Sequence, residues 1–199
     1  MTMFLFDLDG TITKEETLPI IAKHFCIEEE IEKLTEETLE GNIPFVESFI
    51  RRVHVLGNLP VDEIKDVLTE VETNNAVVDF IKANKDCCAI VTGNIFEWVS
   101  GILQKIGCTF YSSSAIVSNN RVEKLTHILK KEAIVNDYIN KGQKVVFIGD
   151  SNNDAEAMRA ANISIGCGIV HQPANSVFSV ADYLVYSEDS LCRLLNQLL

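Results

Sequence analysis

Five short apolar runs rich in β-forming residues constrain the fold more than any other feature of this sequence. The runs are "MFLF" (3–6), "CCAIV" (87–91), "KVVFI" (144–148), "ISI" (163–165) and "YLV" (183–185). Between most of them apolar residues recur at helical spacing, as in residues 96–106 and 125–134. Strands that alternate with helices predict an α/β fold with a mostly parallel sheet covered on both faces.

Residues 14 to about 72 have a different pattern, because acidic residues crowd them and no strand-like run interrupts them. Their apolar residues recur at helical spacing. Gly41-Asn42, Pro44, Gly57-Asn58 and Pro60 divide the segment into about four helices. We therefore expect a helical insert (residues 14–72) that covers an α/β core (residues 1–13 and 73–199) as a lid.

The composition excludes several classes of protein. A formal charge of −12 without a basic block disfavours binding to nucleic acid. Asp7 interrupts the first apolar run, and no later run approaches the roughly 18 residues that a bilayer requires, so we expect neither a signal peptide nor a membrane partner. The six cysteines lack the spacing of a zinc site, which is typical of free thiols in a reducing compartment. We expect a cytoplasmic protein.

Polar side chains follow three of the predicted strands. Asp7 and Asp9 follow the first strand, "TGN" (92–94) the second and "GDSNND" (149–154) the third. In parallel α/β sheets ligands bind outside the carboxyl ends of the strands. We therefore expect these three endings to converge on one site.

Acidic residues dominate this expected site. Asp7, Asp9, Asp150 and Asp154 would repel one another strongly unless a cation or a proton lies between them. A cluster of oxygen ligands without histidine or cysteine suits Mg²⁺. Each aspartate alone has an ordinary explanation as a turn or capping residue, so only the combination predicts a metal site.

The remaining residues of the expected site suit phosphoryl transfer. Thr92 and the N–H groups of Gly93 and Asn94, at the start of the helix that they would open, could bind a phosphate. A carboxylate can form an aspartyl-phosphate intermediate, and a second carboxylate two residues on can protonate the leaving oxygen. The pair Asp7 and Asp9 has this spacing.

Together, "DLDGT", "TGN" and "GDSNND" resemble the first, second and fourth motifs of the haloacid dehalogenase-like (HAD) hydrolases. The run from "DLDGTITKEETLPIIAKHF" through "LEGNIPFVESFIRRVHVLGNLP" resembles the nucleophile loop and helical cap of the phosphoserine phosphatases in that family. The resemblance covers nearly the whole chain. It implies a Rossmannoid core with a small all-α cap, and Mg²⁺-dependent hydrolysis of a small phosphorylated metabolite, with L-phosphoserine as the expected substrate.

The resemblance also implies roles for individual residues. Asp7 would be the nucleophile, Asp9 the general acid and base, and Thr92 a hydrogen-bond donor to the phosphoryl group. The implied magnesium site consists of oxygen ligands and their supports: Asp7, the Asp9 backbone carbonyl, Asp150, Asn153 and Asp154.

For the substrate, the resemblance implies that Glu16 binds the amine, Arg52 binds the carboxylate and Phe45 packs nearby. Phosphoserine presents one ammonium and one carboxylate beyond its phosphate, which a glutamate and an arginine fork would match. Both residues could equally lie on a solvated helix face.

The third family motif is a lysine that steadies the nucleophile. Lys124 in "VEKLTHILKK" best resembles that position, while Lys130 and Lys131 stay open as alternatives.

Two departures from the family bear on the substrate. Asn94 stands in "TGN" where phosphoserine phosphatases carry Ser-Gly-Gly, and the stretch between Tyr111 and Lys124 is short for the β-hairpin expected there. A different phosphomonoester or transfer to a second alcohol therefore remains an alternative. A receiver-like module that stores an acyl phosphate and an inactive binding protein are the non-enzymatic alternatives. We expect a monomer or homodimer.

Overall fold

The computed structural model describes residues 1–39 and 43–199. Within these ranges it describes all side chains except those of Thr35, Glu36, Thr38, Leu39 and Phe45. None of the helices in these ranges combines the length and the apolar character that a bilayer crossing requires.

The described chain forms one seven-stranded sheet in the order β4-β3-β2-β1-β5-β6-β7. Its strands are β1 (Thr2–Phe6), β2 (Cys88–Ile95), β3 (Thr109–Ser118), β4 (Arg121–His127), β5 (Lys144–Gly149), β6 (Ile163–Cys167) and β7 (Tyr183–Val185). All neighbouring strands are parallel except β3 and β4. The predicted, mostly parallel sheet is confirmed.

Ten helices accompany the sheet in the described ranges. They are α1 (Thr17–His24), α2 (Glu28–Leu39), α3 (Phe45–Leu56), α4 (Val61–Thr69), α5 (Asn75–Ala83), α6 (Phe96–Ile106), α7 (Lys131–Asn140), α8 (Ala155–Ala160), α9 (Asn175–Phe178) and α10 (Glu188–Leu198). The first four lie between β1 and β2 along the chain, as the sequence predicts for the helical insert. The proposed division into a core and a cap at residues 14 and 72 stays a prediction.

Strand β1 occupies the centre of the sheet because its residues are apolar on both faces. Phe4 and Phe6 are fully buried in one cluster with residues of α1 to α6, whereas Leu5 is buried in a second cluster on the opposite face. Buried parallel strands need this continuous apolar character. Phe4 pairs with Cys88 of β2 and with Val146 of β5, so the residue after β1 lies between the ends of two neighbours.

The segment from β3 to α7 differs from the prediction. Helical spacing predicts a helix over residues 125–134, but Leu125 lies in β4 opposite Ala115, and α7 begins only at Lys131. Asn119 and Asn120 both have positive φ, 50° and 61°, which suits the tight two-residue turn of a β-hairpin. Antiparallel pairing with β3 overrides the weak helical pattern here. The hairpin expected of the family is therefore present despite the short stretch.

Strand β2 is also longer than predicted. It runs through "TGN" to Ile95, with a register irregularity between Thr92 and Ile95, and α6 begins at Phe96. Gly93 and Asn94 therefore lie in the strand end, and the expectation that they open the helix is wrong.

Helix α4 lies close against α6. A Cβ atom on Gly101 of α6 would lie 1.8 Å from Oγ1 of Thr69 in α4, so this crossing requires glycine. The tip of the β3–β4 hairpin contacts the start of α4, because the backbone N–H of Val61 donates to the carbonyl of Asn120 at 2.9 Å. The carbonyl of Gly57 accepts from Val122 N–H at 2.9 Å. These contacts tie the α3–α4 junction and α4 to the sheet.

Candidate active site

The polar endings of β1, β2 and β5 meet at one edge of the sheet, where they contribute to a pocket of about 390 Å³. Its polar lining includes most of the residues predicted from the sequence: Asp7, Asp9, Glu16, Arg52, Gly93, Asn94, Asp150 and Asn153. Leu18, Pro19, Ile31 and Phe49 supply an apolar wall from α1 to α3. The structure therefore brings together motifs that lie more than a hundred residues apart.

At the floor of the pocket, Lys131 bridges two buried carboxylates. Its Nζ lies 2.6 Å from Oδ1 of Asp7 and 2.7 Å from Oδ1 of Asp154, and the three side chains are at most 4% exposed. Burial alone would lower the pKa of Lys131, but the carboxylates of Asp154 and Asp7 outweigh it and raise this pKa above its ordinary value. Lys131 therefore carries a fixed positive charge beside the predicted nucleophile.

The prediction that Lys124 serves this role is wrong. Lys124 is exposed in β4, where its backbone pairs with Ile116. The reason is the hairpin, which occupies the chain as far as His127, so that only the start of α7 returns to the site. Of the two alternatives, Lys130 is exposed and Lys131 is buried in the site.

Asp7 itself is held in a defined orientation. Its backbone N–H donates to the carbonyl of Ile148 at 2.9 Å, and its Oδ1 accepts the N–H of Leu8 at 2.8 Å. Burial, and then the negative charge of Asp154, raise the pKa of Asp7 well above its ordinary value. A cation near Asp7 would counter both effects.

Asp9 is bound by the helix that follows it. Its Oδ1 accepts hydrogen bonds from the backbone N–H of Thr17, at 2.9 Å, and from the Thr17 hydroxyl. Burial, followed by the nearby charge of Glu16, raises the pKa of Asp9 to about 6. A carboxyl group with a pKa near neutrality can both donate and accept a proton.

Asn94, the departure from the family pattern, takes part in the same network. Its Nδ2 donates to Oγ1 of Thr17 at 2.6 Å, and its backbone N–H donates to Oγ1 of Thr92 at 3.1 Å. Thr92 is fully buried, at the carboxyl end of β2. The Asn94 side chain therefore supports the Thr17 hydroxyl that holds Asp9.

Asp154 is oriented by the loop that follows β5. Its Oδ2 accepts the backbone N–H groups of Asp150, at 3.1 Å, and of Ser151, at 3.0 Å. A Cβ atom on Gly149 would lie 2.5 Å from the Asp154 carboxyl carbon, so glycine is required there. Asn153 lies beside this group, with its Oδ1 3.4 Å from Lys131 Nζ.

The donor set at this edge fits a hard divalent cation. Ligand oxygens of Asp7, Asp150 and Asp154 all lie within 4.8 Å of one another. Asp150 is fully buried, and its Oδ1 accepts the Thr11 hydroxyl at 2.9 Å. Its buried Oδ2 accepts no well-aligned hydrogen bond from the described residues, and burial raises the pKa of Asp150 to about 6. A buried acceptor left in this state is suited to a metal ion.

The rim of the pocket combines predicted residues with one that the sequence did not indicate. Glu16 and Arg52 both line the pocket, whereas the side chain of Phe45 lies outside the described residues. Burial lowers the pKa of Arg52, and the charge of Glu16 opposes this effect. The additional residue is His171, whose Nε2 lies 3.1 Å from Asp150 Oδ2 and 3.2 Å from Glu16 Oε1. It follows no recognisable motif, so only the folded chain reveals its place.

The sequence of this chain is similar to those of known phosphoserine phosphatases. A phosphoserine phosphatase of Methanocaldococcus jannaschii is 27% identical over 177 residues, which are 82% of this chain and 83% of that protein. A phosphoserine phosphatase of Saccharomyces cerevisiae is 26% identical over 178 residues, and the match spans 82% of this chain but only 58% of the yeast protein.

The fold matches a solved structure described as a phospho-aspartyl intermediate analogue of phosphoserine phosphatase. The TM-score is 0.81 at 23% identity, with 96% of this chain and 97% of that chain covered. A family model for haloacid dehalogenase-like hydrolases matches residues 1–162. Since this match covers most of the chain and includes the residues of the pocket floor, the protein belongs to the haloacid dehalogenase-like hydrolase family.

Proposed function

We propose that this protein is a Mg²⁺-dependent phosphatase that hydrolyses a small phosphomonoester, with L-phosphoserine as the expected substrate, through an aspartyl-phosphate intermediate. The observation that carries the proposal is the buried Asp7 carboxylate, held by Lys131 and by the N–H of Leu8 at the floor of the pocket. Membership of a hydrolase family favours turnover over storage of the acyl phosphate.

Asp7 attacks the phosphorus atom. The contacts of Oδ1 with Lys131 Nζ and the Leu8 N–H fix the orientation of the attacking carboxylate. Lys131 lowers the pKa of Asp7 against the effects of burial and of Asp154, and it would stabilise the charge that develops on the transferred group.

Asp9 moves the proton. With a pKa raised to about 6, it can enter the reaction protonated and donate that proton to the leaving oxygen. The resulting carboxylate then accepts a proton from the water that hydrolyses the intermediate. Thr17 holds Oδ1 of Asp9 throughout, which leaves Oδ2 for proton transfer.

The metal site in this proposal consists of Asp7, the Asp9 backbone carbonyl and Asp150, with Asn153 and Asp154 in support. When bound, Mg²⁺ would neutralise charge on the phosphate and on the clustered carboxylates. Asp154 would lie beside the metal and orient the loop that carries Asp150, because Lys131 and two backbone N–H groups already bind its oxygens.

Two charged residues support an amino-acid phosphate as substrate. Arg52 could bind a carboxylate and Glu16 an ammonium group, and both line the pocket. The names of the relatives support the same substrate. The proposal takes residues 14–72 as the cap, the cytoplasm as the compartment, and a monomer or homodimer as the assembly.

The test is phosphate release from a panel of phosphorylated metabolites by the unmodified chain and by Asp7→Asn. A neutral amide is a poor nucleophile, so we expect the variant to lose at least about a thousandfold in kcat. The exposed Asp86 supplies a matched control, and Asp86→Asn should retain full activity. Full activity of Asp7→Asn would exclude the covalent mechanism, and a poor rate on phosphoserine would assign the enzyme to another ester.

A further inference from the structure

The rim of the pocket holds a contact that the proposed reaction does not use. His171 Nε2 lies 3.2 Å from Oε1 of Glu16, and the two side chains are 42% and 44% exposed. His171 lies between β6 and α9, whereas Glu16 directly precedes α1, so the contact joins segments 155 residues apart in the chain. It connects the residue proposed to bind the substrate amine to a loop of the sheet.

The surrounding backbone leaves room for this histidine. Gly10 has a φ of +69°, and a Cβ atom there would lie 3.0 Å from His171 Nε2 and 2.8 Å from Asp150 Oδ2. The loop that carries His171 is anchored nearby, because the N–H of Ala174 donates to the carbonyl of Asp150 at 2.8 Å. Gly10 on one side and the anchored loop on the other therefore determine the position of the His171 ring.

The partners of the ring define its proton positions. Nδ1 lies 3.1 Å from the carbonyl oxygen of Gln172, which can only accept a hydrogen bond. Nε2 faces carboxylate oxygens of Glu16 and Asp150, which also accept when ionised. Nε2 is therefore the nitrogen that donates to the Glu16 carboxylate in this arrangement. A metal ion at Asp150 would compete for that carboxylate but leaves Glu16 as an acceptor for His171.

Glu16 thus interacts with two side chains of the pocket rim. His171 contacts it directly, and the guanidinium of Arg52 interacts with it electrostatically. A carboxylate that already interacts with these two side chains attracts a further cation less strongly. The ammonium group of a substrate would be such a cation.

We propose that His171 is a specificity-determining residue that pairs with Glu16 and thereby lowers the preference of the pocket for phosphomonoesters that carry an ammonium group. The inference rests on the proposed function, because it takes Glu16 as the residue that meets the amine. Esters with a carboxylate and no amine are then accepted beside L-phosphoserine, with Arg52 as their shared partner.

The experiment compares two ligands that differ only in the amine, L-phosphoserine and 3-(phosphonooxy)propanoate. Their Kd values are measured by calorimetry with Mg²⁺ in the Asp7→Asn background, where neither ester should be turned over. A half-exposed ion pair is worth up to about 1 kcal/mol, so His171→Ala should raise the ratio of the two affinities about fivefold in favour of phosphoserine. An unchanged or smaller ratio would overturn the proposal.

A second background separates an effect through Glu16 from a direct one. In a Glu16→Gln background, His171→Ala should leave the ratio unchanged, since no carboxylate remains for the histidine to bind. A fivefold rise that persisted there would show that His171 acts on the amine directly and would overturn the role of Glu16.

His24 offers a matched control. Its Nε2 lies 2.9 Å from Oε1 of Glu63, a comparable contact outside the pocket lining, so His24→Ala should not alter the ratio. An equal rise in that variant would overturn the proposal. Failure of the proposed function has a separate readout, which is the absence of phosphate release by the unmodified chain, whereas the affinity ratio does not depend on turnover.

Discussion

At the scale of single residues, one buried lysine contacts two buried carboxylates of the site. Lys131 contacts both Asp7 and Asp154, and each of these contacts is almost completely buried. A buried carboxylate that loses its cation pays the full cost of desolvation. The lysine therefore affects both the charge of Asp7, the proposed nucleophile, and the stability of the site.

Substitutions of Lys131 and of Lys124 should differ clearly in their effect on activity. We expect Lys131→Met to lower kcat/KM at least about a hundredfold, because it removes the charge beside Asp7 while keeping a similar length of side chain. Lys124→Met, in the exposed strand β4, should leave kcat/KM within about a factor of two. Steady-state phosphate release checks both variants, and the reverse order of effects would restore Lys124 to the site.

Asn94 permits a second prediction at this scale. Asn94→Gly removes the side chain that donates to Thr17, which in turn holds Asp9. Because Asp9 is proposed to protonate the leaving group, the loss should be greater for alkyl phosphates than for p-nitrophenyl phosphate, whose leaving group needs no proton. We expect roughly a tenfold difference between the two losses in kcat. Equal losses would show that Asn94 affects binding of the phosphate instead.

At the scale of secondary-structure elements, the crossing of α4 and α6 joins the helical insert to the sheet. Gly101 and Thr69 approach so closely that any Cβ on Gly101 would overlap the threonine hydroxyl. Lys105 strengthens the same crossing, because its Nζ donates to the Thr69 carbonyl at 2.7 Å and lies 2.8 Å from Glu70 Oε1. Steric fit and polar contacts thus act on one short interface.

This fit predicts non-additive stability. Gly101→Ala should destabilise the protein by about 1–2 kcal/mol, since the overlap exceeds the gain of roughly 1 kcal/mol that alanine brings to a helix. In a Thr69→Ala background the hydroxyl is gone but the tight contact at 3.0 Å with the Cβ of residue 69 remains, so the same substitution should be close to neutral. Urea unfolding of the four proteins measures the coupling. Equal destabilisation in both backgrounds would mean that α4 and α6 are packed less closely.

At the scale of the whole molecule, the helical insert has unequal attachments to the sheet. Helix α4 and the α3–α4 junction are bound by α6 and by the tip of the hairpin. Helices α1 and α2 contribute Leu18, Pro19 and Ile31 to the pocket wall, where a ligand would contact them. Ligand binding should therefore affect the parts of the insert differently.

Hydrogen exchange can test this expectation. With Mg²⁺ and a metallofluoride analogue of phosphate, we expect amides of α1 and α2 to exchange more slowly, because closure around the site excludes water. Amides of α4 should change little, since its contacts exist without a ligand. Equal slowing in all four helices would indicate closure of the insert as one body, and no slowing would indicate a rigid, open site.

Some features of this protein follow from short stretches of sequence alone. The apolar runs determine which strands are buried, and Asp7 and Asp150 follow two of these strands directly, with Asp9 and Asp154 shortly after them. Because a parallel sheet aligns the carboxyl ends of its strands, their convergence could be predicted without coordinates. Helices α1 to α4 of the insert could also be predicted, because each has its own apolar spacing and Gly-Asn and Pro residues separate α2, α3 and α4.

Other features were decided only by the tertiary structure. Which lysine reaches Asp7 depends on where the β3–β4 hairpin returns the chain, and strand pairing there is a long-range interaction that helical spacing in residues 125–134 concealed. The contact of His171 with Glu16 likewise depends on a loop held across the pocket from α1. Local sequence specifies strands and helices through nearest-neighbour energetics, whereas the partners of a charged side chain depend on where distant segments bring their atoms, which only the folded chain determines.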